Sequence, residues 1–149
     1  MSDSSNPSKV QRPGEPDVFN VPDEETRMNE AIHKARLTMG YFLESLQAPR
    51  PEQQYFSLKA KFTDGIHAEH IWINEVSMDE SGNFFGKLAN APVSLRNIHL
   101  NEQVGVQPEV VSDWMILEKG RLIGGYTLRA LREGMDEEAR RQFDASIGI

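Results

Sequence analysis

Imidazole and carboxylate side chains come closest together where His67, Glu69 and His70 fall in one short run, with Asp113 on a later strand. Groups of these types ligate zinc and similar ions, and Asp113 could add a ligand from a neighbouring strand. The run lacks the helical His-Glu-x-x-His order, however, and His67 and His70 fall in or beside a turn. The sequence therefore assigns no metal and no cofactor. Acid–base chemistry is the other use of the same groups. His70 titrates near neutrality when unperturbed, and Glu69 or Asp113 could orient its ring. Ser57 and Lys59 are placed near it only through an assumed strand register, so no nucleophile and no catalytic residue is assigned. The reading predicts that Glu69, His70 and Asp113 lie together, with His70 bonded to a carboxylate or a strand carbonyl.

The element that must carry this chemistry is Glu69 to Val76, EHIWINEV. With period two, Ile71 and Ile73 point one way, and His70, Trp72 and Asn74 the other. The run Tyr55 to Phe62 answers it in antiparallel register, Ala60 against Ile71 and Leu58 against Ile73. The opposite face then pairs Lys61 with His70 and Lys59 with Trp72, a cation–π arrangement. Upstream, a helix from near Asp23 to Leu46 has acidic residues in its first turn. Its apolar stripe runs through Met28, Ala31, Ile32, Ala35, Met39, Phe42, Leu43 and Leu46, and Gly40 suggests a kink or a close approach to the sheet. His33 lies off the stripe, and Pro49 and Pro51 end the helix.

Downstream, Phe84 to Leu88 reads as a strand stopped by Asn90, Ala91 and Pro92, with Asn90 bonding nearby backbone. Leu95, Ile98 and Leu100 are the expected core anchors of an irregular section. Val104 to Val106 and Val110 to Leu117 are strands, and the latter turns back through Glu118 to Arg121. Gly124 and Gly125 suggest a bulge or a close backbone approach. Thr127 is the expected cap of a short helix ended by Gly134, and Asp136 caps a last helix sharing Ala139 and Phe143 on one face. The fold class is α+β: a long N-terminal helix on a curved antiparallel sheet or small partly closed barrel, with short C-terminal helices.

At 149 residues the chain is one domain's length and can bury a core without staples. Residues 1–22, rich in Ser, Pro, Asn and Asp, read as a disordered tail before a single domain from 23 to 149. A formal charge of -7 argues against general nucleic-acid binding, which needs clustered positive charge. The chain has no cysteine, no apolar leader region and no membrane-length apolar run, so a cytoplasmic address is the expectation.

Several pieces together are similar to one family. They are the Phe42-Leu43 pair, the Glu69 to Trp72 run, Phe85-Gly86 with Asn90 and Pro92, the Val104 strand, Asp113-Trp114-Met115, and Gly124-Gly125 through Thr127, Arg129 and Leu131. In combination, over Asp23 to Leu131, they resemble the YegJ-like bacterial domain of unknown function. That resemblance implies a small bacterial domain with no established activity, substrate or cofactor. It marks Glu69, His70, Trp72, Asn90, Asp113, Trp114 and Thr127 as the candidate functional or structural cluster, and sets His67 beside the pattern as a loop residue.

The leading expectation is a non-enzymatic protein-binding domain, of the immunity-inhibitor or adaptor kind, with a protein partner and no membrane. One alternative is a small hydrolase, in a metal-dependent form or not, using His70 with Glu69 or Asp113. The other is single-stranded nucleic-acid binding by Lys59, Lys61 and Trp72.

Overall fold

The computed structural model describes residues 23–147; the expected tail at 1–22 lies outside them. Helix α1 spans Glu24–Leu37 and α2 spans Met39–Gln47. Strands follow at Gln53–Thr63 (β1), Ala68–Met78 (β2), Phe84–Leu88 (β3), Gln103–Val106 (β4), Val111–Glu118 (β5) and Arg121–Gly124 (β6). Helices α3, Tyr126–Glu133, and α4, Glu137–Ile147, close the chain.

Asp23 starts α1 by accepting the Thr26 N–H at 2.7 Å. The single long helix expected from the apolar stripe breaks at Thr38, not at Gly40. Thr38 Oγ1 donates back to the Lys34 carbonyl at 2.8 Å and accepts the indole N–H of Trp114 at 3.1 Å. The buried indole needs an acceptor, and the threonine that supplies it competes with the helix backbone. Gly40 is exposed, with open space where a side chain would be. His33 is exposed, as expected.

All six strands form one antiparallel sheet in the order β4-β3-β2-β1-β5-β6. The sheet is open, with β4 and β6 as its edges; no barrel closes. The expected register of the central hairpin holds at all four positions: Leu58 with Ile73, Lys59 with Trp72, Ala60 with Ile71 and Lys61 with His70. One face packs on the helices. There Phe42 is fully buried, with its ring 5.9 Å from Phe56, 6.5 Å from Phe84 and 6.0 Å from Trp114. Such edge-on and tilted aromatic contacts each add about 0.5–1.5 kcal/mol to area burial. Between β3 and β4, Leu95 is a core residue and Ile98 packs against the core, while Leu100 is half exposed and is not an anchor.

Candidate functional site

The other face of the sheet carries the candidate chemistry. Bulges decide what it presents. The β1–β5 register shifts between Lys59 and Ala60, leaving Ser112 as the extra residue on β5. A bulge re-aims a side chain that strict alternation would have placed differently. Ser112 Oγ lies 3.0 Å from His70 Nδ1 and 3.4 Å from the Lys59 carbonyl. The Ser112 hydroxyl donates to that carbonyl, and which partner donates in the bond to Nδ1 depends on the imidazole tautomer. His70 is therefore held by a serine, not by the carboxylate or strand carbonyl expected of it. Burial, followed by the charges of Lys59, Lys61 and Arg36, lowers its pKa below the ordinary 6.5.

Glu69 points elsewhere. Its carboxylate accepts the backbone N–H groups of Val93, Ser94 and Leu95, clamping the loop after β3. Those bonds, Val93 first and Ser94 second, lower its pKa. Asp113 is fully buried and equally committed. Oδ1 accepts the N–H groups of Trp114 and Tyr126, and Oδ2 accepts the Thr127 N–H at 2.8 Å and the Thr127 hydroxyl at 2.6 Å. Burial pushes its carboxyl upward, against the lowering effect of those four donors. This carboxylate holds the first turn of α3, where backbone N–H groups point outward. Thr127 is thus not the cap expected; Gly125 occupies that position and Asp113 supplies the acceptor.

Lys59 joins this anchor to the surface. Its ammonium donates to Thr127 Oγ1 at 3.3 Å and lies 5.9 Å from the centre of the Trp72 ring. Burial lowers the Lys59 pKa, with the Asp113 charge opposing. A continuous path follows: indole face, ammonium, hydroxyl, carboxylate, helix N-terminus. The predicted residues thus divide into three arrangements. Trp72, Lys59, Thr127 and Asp113 form one, His70 with Ser112 a second, and Glu69 with its loop a third. Trp114 lies in the core, and Asn90 is exposed in the bend after β3, with no side-chain bond among the described residues.

Neither carboxylate hydrogen-bonds or ion-pairs with His70. His67 pairs with Asp64 at 3.6 Å in its turn. Among the described residues, no group of three or more His, Cys, Asp or Glu is placed to hold a metal ion. As a nucleophile–base pair, Ser112 and His70 lack an orienting carboxylate, and Ser112 is only 1% exposed. Ser112 had no sequence signal, because a bulge has none when its residue is not glycine, and Arg36 had none because its Nε donates to a backbone group, the Val111 carbonyl, at 3.3 Å.

A sequence model of the family described as uncharacterised protein conserved in bacteria, DUF2314, matches residues 25–149. The chain belongs to DUF2314. A putative ankyrin repeat protein of Neisseria meningitidis serogroup B is 33% identical over 144 residues, covering 91% of this chain and 56% of that protein. The chain thus spans just over half the length of that relative. The uncharacterised protein YegJ of Escherichia coli K12 is 30% identical over 120 residues, covering 80% of this chain and 76% of its own. No solved structure matches. No helix among the described residues is long and apolar enough to cross a membrane. For this DUF2314 chain, Asp113, Trp114, Gly125 and Thr127, which carried the resemblance, all fall in or beside the α3 anchor.

Proposed function

We propose that this domain is a non-enzymatic protein-binding module, working as an adaptor or an immunity-type inhibitor, and that its partner docks on the outer face around Trp72. The observation that carries the reading is the Trp72 ring, half-buried under Lys59 and flanked by exposed Lys61, His70 and Asn74, on the face opposite α1 and α2. A rigid aromatic with polar neighbours is the composition of an interface centre. The commitment of Glu69 and Asp113 to backbone N–H groups supports binding over catalysis, since each already spends its acceptor capacity on structure. A relative named for ankyrin repeats adds support, because solenoids of that kind present binding surfaces.

The test is recovery of a stoichiometric partner from native lysate on the wild-type chain, repeated with Trp72→Ala and Lys61→Glu. Both changes should weaken capture at least about tenfold, as loss of an interface centre does, while the circular dichroism spectrum stays that of wild type. Full retention of the partner by both variants rejects the outer face. Turnover of a small-molecule substrate that His70→Ala abolishes, with no partner recovered, favours the hydrolase. Single-strand affinity that falls steeply with salt favours the nucleic-acid reading.

A further inference from the structure

Two more bulges part the sheet at one end. Beyond the Leu58–Ile73 pair, β1 and β2 cease to pair with each other. β1 continues against β5 through Gln54 and Gln53, while β2 continues against β3 through Ser77 and Met78. The sheet divides there into two limbs, β1-β5-β6 and β2-β3-β4. At each parting a non-glycine residue takes the left-handed conformation, Tyr55 at φ 55° and Glu75 at φ 54°. Such a backbone is unfavourable for any residue with a Cβ, and it collects at binding and switching sites.

Between the limbs lies a cleft of about 570 Å³, lined by Tyr55, Ser57, Asn74, Glu75, Val76 and Met115. Ligand sites are of this size. Ser57 Oγ and Asn74 Oδ1, 2.9 Å apart, join the strands at its apex. Tyr55 stands 72% exposed at one lip, and Glu75 at the other lies 3.6 Å from Lys87 Nζ. Buried Val76 and the Phe56 ring, which packs on Phe42, close the helix side.

We infer that this cleft is a second binding site, taking an extended peptide segment as an added strand between the limbs. The edges that β1 and β2 turn toward each other have no strand partner among the described residues. A strand edge offers donors and acceptors at the backbone repeat, and another backbone matches that spacing where a compact small molecule does not. Val76 and Met115 supply apolar contact for alternate side chains of the peptide, and exposed Asn74, whose Oδ1 accepts from the buried Ser57 hydroxyl, supplies its side-chain N–H groups. The site is carried by the parting of the strands and shares Asn74 with the Trp72 face, but Trp72 does not line it, so either assignment can fail alone.

The experiment selects linear peptides from a displayed random library on the intact chain and synthesises the recovered sequence. Amide resonances of Tyr55 to Ser57 and Asn74 to Val76 should shift on titration. N-methylation of alternate peptide residues should weaken binding at least about tenfold, because it removes ladder hydrogen bonds. Failure to enrich any peptide, shifts confined to His70 and Trp72, or equal affinity of the N-methylated peptide overturns the assignment.

Discussion

Thr127 is the side chain through which a buried carboxylate and a half-buried ammonium meet. Its hydroxyl donates to Asp113 and accepts from Lys59. Thr127→Val keeps the shape and removes both bonds, leaving the acceptor underserved in a buried place. The expected loss is about 1–3 kcal/mol in urea denaturation, with the start of α3 gaining amide exchange first. His70 makes a prediction of opposite chemical character. Its folded pKa lies below 6.5 because burial and three cationic neighbours disfavour the imidazolium. The folded state then binds fewer protons than the unfolded state in the window beneath 6.5. Stability is intact above that window and is lost as pH falls through it toward the folded value. Denaturation midpoints from about pH 7.5 down to about pH 5, which brackets the unperturbed histidine, should fall further for wild type than for His70→Gln. Equal slopes would mean that the ring is not held neutral. Glu69→Gln should leave the sheet intact while amide exchange quickens at Val93, Ser94 and Leu95, whose N–H groups the carboxylate holds.

The β6–α3 corner is the element most sensitive to a single methyl group. Gly124 has φ +76°, and a Cβ there would stand 2.4 Å from the Trp114 carbonyl oxygen. Gly124→Ala therefore combines a left-handed penalty with a backbone clash, and should cost at least about 2 kcal/mol. Gly40→Ala, at an exposed helical site with open space, should instead stabilise by up to about 1 kcal/mol. Thermal melts of the two variants should move in opposite directions. The paired glycines, the hairpin turn before them and the Asp136 cap were all legible, because glycine and aspartate announce special backbone. Asp136 Oδ1 accepts the Ala139 N–H at 2.8 Å, as its position suggested. What stayed hidden were elements fixed by backbone donors from distant residues. Glu69 and Asp113 both look like free acids in sequence, yet apart from the Thr127 hydroxyl their partners are backbone N–H groups that carry no residue signature. The break at Thr38 was hidden for a related reason: it depends on an indole that arrives 76 positions later. Tyr55 and Glu75 could not be read as bulges, since left-handed backbone is expected of glycine or asparagine.

For the molecule as a whole, simple alternation revealed the two facing strands and hence the core face, whereas the sheet order needed contacts that sequence does not display. That order has a kinetic consequence. β2 and β3 form a local hairpin, but β1 must also find β5, and Gln53 meets Glu118 across 65 positions of chain. Closing so long a segment consumes entropy before the new ladder returns anything. The hairpin of β1 with β2 therefore offers the earlier nucleus, and docking of β5 follows the barrier. Conservative truncations in stopped-flow chevrons should separate the two steps. Ile73→Val, costing about 0.5–1.5 kcal/mol, should appear mainly as slower folding, and Ile116→Val mainly as faster unfolding. A strand that is central in space but bonded to both the near and the far part of the chain thus acts as the timekeeper of assembly.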